Sequence, residues 1–492
     1  MTAPRSGTGP SSAGGPAEPP PPARPKFAAA ARAALADTRR RRNLRGATAA
    51  LRDREAAATR AAADWEELRE AGRAIRDDTL LNLDTHLEEL ERAVTEAGGV
   101  VHWAGDAGEA RGIVTGLVRA AGATEVVKAS SATLREIGLD EALEAIGVTS
   151  CETALADLVV RLGGDEPSHP LSPAVHRDRA QIGELFRREL PAAGPDLADD
   201  PAALAGAARD HLRGRLLRAR VAVTGANFLV AETGTAVVLE SEGNARMCLA
   251  LPETLVTVAG IDKVVPAWRD MEVFLQLLPR ASSGDPMTAC VSAWTGVTAG
   301  DGPREFHLVL LDNGRTRALA DEVGRTALRC IRCSACANVC PVYGRTGGAP
   351  YGPVLPGPVG AMLTPLLRGV ESAADASLPY ASTLCGACAD VCPVKIDIPD
   401  VLVRLRGEVV ESRRRRPVPT PELVLMRGLA WTMGDPRRHE AALRRGTRWA
   451  RLLSRGGRIR RLPGLLGRWT ETRDLPAPPA ESFRAWWTRR RA

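Results

Sequence analysis

The chain has 492 residues, 44% hydrophobic and 25% charged, a balance that excludes a wholly disordered or fibrous protein and leaves room for about two to four domains. Its net charge of +7 is unevenly spread: residues 1–60 carry 12 basic and 4 acidic side chains and residues 413–492 carry 21 arginines against 6 acids, which leaves −16 on 61–412. An acidic body between basic ends bears on partners and solubility rather than on fold.

The longest uncharged stretch, 346–367, holds five Pro and five Gly and cannot form a continuous spanning helix. The first residues lack the apolar core of a secretory signal. The expectation is a cytoplasmic protein, and in that reducing setting ten cysteines point to metal ligation rather than disulfides.

In chain order, 1–27 reads as a disordered Pro/Gly-rich tail and 28–75 as a helical extension rich in Ala, Arg and Glu. Leu80, Leu83, Leu87, Leu90 and Val94 recur at steps of three and four, one apolar helical stripe stopped by Gly98-Gly99. Val100–Trp103 reads as a short buried strand, Ile113–Val118 as a helix and Val126–Ala129 as a strand; 132–145 is helical, Val148–Cys151 a strand and 154–162 a helix. This alternation predicts an α/β domain with a mostly parallel sheet, placed at 76–325. Within it, 221–265 reads as strands and hairpins that end the unit with a mixed sheet, with Gly234 and Gly243-Asn244 as turns. Residues 326–412 form a cysteine-rich module that includes a helix at 401–412, and 413–492 an Arg/Trp-rich C-terminal extension.

Cys330, Cys333, Cys336 and Cys340, followed by Pro341, spell C-x2-C-x2-C-x3-C-P; Cys385, Cys388 and Cys392, followed by Pro393, spell C-x2-C-x3-C-P. This is the ligand spacing of two-cluster ferredoxins, in which the fourth cysteine of a run serves the other cluster. Zinc sites more often use two CxxC pairs across a longer spacer. The crossover gives cluster one Cys330, Cys333, Cys336 and Cys392, and cluster two Cys340, Cys385 and Cys388. The position that should supply an eighth thiolate is Ser382. Cluster two is therefore either a three-iron cluster or a four-iron cluster whose last iron takes a non-cysteine ligand. Each cluster passes one electron at a time, and no G-x-G-x-x-G fingerprint for a dinucleotide is visible. Cys151, Cys248 and Cys290 read as small buried hydrophobes.

The chain also resembles the lactate utilization protein B family, over about 75–412. The resemblance rests on TGANFLVAETGTAVVLESEGNARM at 224–247, GIDKVVP at 260–266, DGP at 301–303, LLDNGR at 310–315, LRCIRCSACANVCPVY at 328–343 and LCGACADVCPVKIDIP at 384–399, in that order. It implies an α/β lactate-utilization domain like the NagB/RpiA/CoA-transferase group, followed by an α-helical two-cluster ferredoxin-like module. It implies two 4Fe-4S clusters and a part in oxidising L-lactate to pyruvate within a complex of three proteins, with an electron acceptor beyond it. The seven-cysteine set is the family's own pattern.

Outside the cysteines, Glu232, Thr233, Gly234 and Thr235 form one Gly-bearing turn and Glu242, Gly243 and Asn244 another; with Lys263 or Arg246 they make a candidate pocket for a substrate carboxylate. Hairpin chemistry alone accounts for the same glycines and asparagine. His169 and His176 are either proton carriers or packing residues ahead of a helix at 177–190. The Arg/Trp extension suits docking on a partner or peripheral contact with an anionic membrane, and no nucleic-acid recognition motif accompanies it. The leading reading is a non-autonomous electron-transfer subunit; the rivals are a self-sufficient 2-hydroxy-acid oxidoreductase with an open cluster iron and a redox-sensing interaction protein.

Overall fold

The computed structural model describes residues 24–491 apart from 192 and 480, so most of the expected N-terminal tail lies outside the described residues. The chain divides into two compact units, one ending at Val409 and one beginning at Val410.

Four helices open the first unit: α1 (Phe27–Ala36), α2 (Thr38–Ala61), α3 (Trp65–Leu81) and α4 (Leu83–Glu96). The apolar stripe from Leu80 to Val94 is buried throughout, but a break at Asn82 divides it between α3 and α4.

Among the described residues the strands of the first unit are β1 (Val100–Ala104), β2 (Glu125–Lys128), β3 (Thr149–Glu152), β4 (Val221–Thr224), β5 (Phe228–Val230), β6 (Thr235–Glu240), β7 (Thr254–Gly260), β8 (Val264–Val265), β9 (Cys290–Trp294) and β10 (Glu305–Leu311). They form two sheets instead of one. The larger runs β1-β10-β7-β4-β2-β3 and is parallel at every pairing. Its inner strands are Val/Leu runs buried on both faces, as parallel sheets require. One face packs on the helices Ala107–Ala120, Ala132–Glu136 and Leu139–Ala145, the other on α4, Leu155–Leu162, Arg179–Glu189 and Pro201–Arg218. As the edge strand, β1 leaves Val100 and Trp103 about half exposed, so it is less buried than its sequence suggests.

The smaller sheet runs β8-β5-β6-β9 and mixes parallel and antiparallel pairs. Gly243 does not close a hairpin; at φ 77° it caps the helix Asn244–Ala250, and the carboxylate of Glu240 accepts from two free N–H groups of the first turn, those of Ala245 and Arg246.

Phe228, Val230, Val237 and Val265 of the smaller sheet share one hydrophobic core with Phe274 and Leu277 of the helix Met271–Ser282 and with Ile331, Ala337, Tyr343, Met362, Val394 and Leu405 of the cysteine-rich segment. Burying each such side chain fully contributes roughly 1.5–3 kcal/mol. The cysteine-rich segment thus shares its core with the α/β part. The N-terminal helices belong to the same body: Gly72 of α3 lies so close to Leu277 that a Cβ there would stand 2.4 Å from its Cδ1.

The second unit contains the helices Pro421–Met433 and Pro436–Leu452, capped by Thr420 and Asp435, a two-strand ribbon and the helix Phe483–Arg491. Its arginines stack on tryptophans, Arg438 over Trp431 at 4.3 Å and Arg491 over Trp487 at 4.7 Å. The helix Pro421–Met433 buries none of its residues and exposes Leu425, Met426, Leu429, Trp431 and Met433. Among the described residues no helix is long and apolar enough to cross a membrane.

Candidate iron–sulfur site

The two cysteine runs fold alike. In the first, Arg332 (φ 63°) and Ser334 (φ 73°) take left-handed conformations just before the one-turn helix Ala335–Asn338, which carries Cys336. In the second, Leu384 (φ 57°) and Gly386 (φ 88°) precede the one-turn helix Ala387–Asp390, which carries Cys388, and Lys395 (φ 51°) follows. Four of the five non-glycine residues with positive φ among the described residues lie in these loops. Each costs on the order of 1 kcal/mol or more, so backbone strain is concentrated where cysteines must face inward. None of the ten cysteines is joined in a disulfide.

Electrostatic neighbourhood sorts the seven sulfurs. Cys333 and Cys336 both feel Cys330 and the distant Cys392, and Cys392 feels Cys330 in return. Cys340 feels Cys385, and Cys388 feels both Cys340 and Cys385. The sets are electrostatic neighbours of each other through Cys336 and Cys388. Burial pushes the Cys333 and Cys336 thiols well up, Cys388 to about 12 and Cys392 to about 11. Cys385 alone is exposed, and the Ala387 N–H holds its pKa down. Buried thiolates need a compensating cation, which bound iron supplies.

The surroundings fit such a group. Arg76 Nε, Arg332 Nε and Ser334 Oγ are buried donors without an acceptor, and Arg76 lies electrostatically beside Cys330. Cluster sulfur is an acceptor of the right kind for them. Among the described residues no three His, Cys, Asp or Glu side chains converge as ligands of a single ion.

Helix α3 ties both loops down. The Arg76 guanidinium, 2% exposed, donates to the carbonyls of Val264 at 2.7 Å and Leu328 at 3.0 Å, and also to that of Asp262. Arg69 donates to the carbonyls of Cys392 at 2.9 Å and Asp390 at 3.0 Å. Asp77 pairs with Arg329, and Glu66 and Glu70 hold Lys395 at 2.7 and 2.8 Å. Helix α2 contributes Glu55, whose carboxylate accepts from Asn338 Nδ2 at 2.6 Å; burial pushes Glu55 up to about 7. None of Arg69, Arg76 and Glu55 was singled out from sequence. A signal did exist: Arg76 sits on the buried stripe Leu68, Gly72, Arg76, Leu80, where an arginine needs a specific partner.

The sequence-selected pocket residues fall in three places. Glu232 accepts from Trp268 N at 3.0 Å, Thr233 and Thr235 share a hydroxyl contact at 2.7 Å, and Gly234 (φ 68°) abuts the backbone of α4, where a Cβ would stand 2.7 Å from Val94 N. Glu242 accepts from Leu155 N at 3.0 Å and Asn244 donates to Thr153 Oγ1 at 3.1 Å. Lys263 is 8% exposed, in the turn after β7, and Cys330 and Arg332 are among its electrostatic neighbours; burial lowers it to about 8. The Ser382 hydroxyl accepts from Leu384 N at 3.1 Å, and its carbonyl accepts from Arg406 at 3.0 Å.

His169 is buried and packs. Its Nδ1 accepts from Leu171 N and Ser172 N, its Nε2–H donates to Asn338 Oδ1 at 3.1 Å, and burial lowers it to about 4. His176 pairs with Asp165 at 3.0 Å. Cys151 and Cys248 are buried and Cys290 is partly exposed.

An α/β domain sharing its core with a cysteine module of this form defines an iron–sulfur protein with a ferredoxin-type module. Family comparison agrees: residues 87–311 match the LUD domain, 326–396 the 4Fe-4S dicluster domain and 404–492 the lactate utilisation protein B C-terminal domain. Lactate utilization protein B of Oceanobacillus iheyensis is 43% identical over 434 residues, covering 87% of this chain and 88% of that protein. Lactate utilization protein B 1 of Bacillus mycoides is 40% identical over 447 residues, 91% and 92% of the two chains. The chain belongs to the lactate utilization protein B family. A crystal structure of a DUF162 family protein from Deinococcus radiodurans covers 46% of this chain and 98% of its own at 14% identity and a TM-score of 0.27.

Proposed function

We propose that the chain is the electron-transfer subunit of a cytoplasmic complex that oxidises L-lactate to pyruvate. Removing the hydroxyl and α-carbon hydrogens releases two electrons and two protons, and two bound clusters supply consecutive one-electron steps. Cys330, Cys333, Cys336 and Cys392 hold cluster one; Cys340, Cys385 and Cys388 hold cluster two, whose fourth ligand position falls to Ser382 or another non-cysteine group. What supports this reading is that Cys392 lies in the electrostatic neighbourhood of the first run and Cys340 in that of the second, as the crossed ligand pattern of two-cluster ferredoxins expects. α3 and α2 fix the loops, so that the thiols are placed before metal binds. The exposed Cys385 marks the end from which electrons pass to an acceptor. The C-terminal unit, basic and apolar on its surface, docks on the other subunits or touches an anionic membrane surface.

The test is anaerobic purification with counts of iron and acid-labile sulfide and electron paramagnetic resonance. Two clusters are expected; colourless protein, or zinc in place of iron, overturns the reading. Cys330→Ser and Cys385→Ser should each abolish lactate-dependent growth while the α/β domain stays folded, and normal growth would show that the clusters are not the functional element.

A further inference from the structure

The turn after β7 and the loop before Cys333 bring together an unusual group of buried charges. Arg315 is 1% exposed and is bound by both oxygens of Glu136, each at 2.9 Å, and by Asp262. Asp262 also lies 3.8 Å from Arg332. Arg76 bonds only backbone carbonyls, and Lys263 has no hydrogen-bond or ion-pair partner among the described residues. Four cations, Arg76, Lys263, Arg315 and the partly exposed Arg332, thus face two carboxylates, Asp262 and Glu136, with Asp77 beside Arg76 taken up by Arg73 and Arg329.

A net of two buried positive charges is costly unless something compensates it. Among the described residues no further carboxylate does so, since Asp77 is already held by its two arginines, and Cys330 is the neighbour common to Arg76 and Lys263. A four-iron cluster with four thiolates carries about two negative charges in its oxidised form and one more when reduced. Cys340, Cys385 and Cys388 have no cation among their main electrostatic neighbours; Cys385 has Asp390 instead.

We propose that Lys263, with Arg76 and Arg332, forms a cationic shell that balances cluster one and sets its reduction potential above that of cluster two. The inference rests on the cluster assignment proposed above. Reduction adds negative charge, which nearby buried cations stabilise, so the first electron of a lactate oxidation settles on cluster one and the second on cluster two. Lys263 is the tuning member: Arg76 also holds the loop, whereas Lys263 makes no structural bond that its removal would break.

The test is a redox titration of the anaerobic full-length protein, followed by electron paramagnetic resonance, with the cluster-one signal identified in Cys385→Ser. Lys263→Met should shift the cluster-one midpoint to lower potential, leave cluster two in place and leave the iron count unchanged; Lys263→Arg should bring the midpoint most of the way back to that of the parent. An unmoved cluster-one midpoint, or an equal shift of both, overturns the proposal while the two-cluster reading stands. If Lys263→Met loses cluster one and Lys263→Arg keeps it, charge balance is supported; loss in both means that the lysine acts by shape, and the proposal fails. Absence of clusters from the unmutated protein would sink the underlying reading instead.

Discussion

The loops around Cys333 and Cys388 share a backbone form, with left-handed residues leading into a one-turn helix that carries a buried cysteine. Their surroundings differ. The first is enclosed on several sides: Arg76 holds the carbonyl of Leu328, Glu55 holds Asn338, and the Tyr343 hydroxyl donates to Ser168 O at 2.5 Å. The second has Arg69 at its far end and Arg406 at its near end, and leaves Cys385 in solvent. Similar local sequences therefore give one loop built into the core and one that opens outward. That division suits a pair of clusters in which one end stores charge and the other exchanges it.

The largest way to break this comparison is to cut the first loop free. Arg76→Met leaves three backbone carbonyls without their donor and removes a buried cation. Each orphaned carbonyl costs roughly 1–3 kcal/mol, so a local loss of about 3 kcal/mol or more is expected. Hydrogen exchange should show it as lost protection over 328–340 with the parallel sheet unaffected. Protection that stays within about 1 kcal/mol of the parent would mean that the first loop is no more deeply anchored than the second.

The cysteine spacings made the loops legible, because ligand geometry is encoded locally. Helix–strand alternation made the parallel domain legible for the same reason. What holds the loops was less so. Arg69 and Arg76 reach residues far along the chain, and Glu55 meets Asn338 only after α2 packs on the module. Such contacts leave only a faint trace, an arginine on an apolar stripe. The mixed sheet expected at 221–265 forms as a separate sheet, while Gly243-Asn244 starts a helix where a hairpin was expected, because the same residues suit both. The sequence marks Lys263 only as a cation near two turns, and its burial beside Cys330 depends on the fold of the whole domain.

A smaller effect probes the first loop alone. Glu55 titrates from 4.5 in the open chain to about 7 here, chiefly through burial. A raised carboxyl contributes stability that is full below pH 4.5 and is lost as pH rises through 7. Glu55→Gln does not titrate, so its stability should gain on that of the parent over this window, by about 2–3 kcal/mol at most. His169, lowered from 6.5 to about 4, acts oppositely and loses stability as pH falls through that range. Denaturation at pH 4.5 and pH 7.5 compares the two proteins directly, with His169 common to both; a difference that does not change with pH would place Glu55 in solvent rather than under the loop.

The mildest test addresses the second loop. Arg406 donates to Pro379 O at 2.9 Å and to Ser382 O at 3.0 Å, and stacks 5.2 Å from the ring of Tyr380, itself 43% exposed. Because solvent reaches this site, water replaces much of what Arg406→Gln removes, and about 1–2 kcal/mol is the expected cost. Exchange should quicken at 382–385 and leave 328–340 unchanged. Since Ser382 stands where an eighth cysteine would fall, the same variant should alter the cluster-two resonance before it alters that of cluster one. If both resonances change together, the two loops are mechanically one, and the difference in anchoring has no functional consequence.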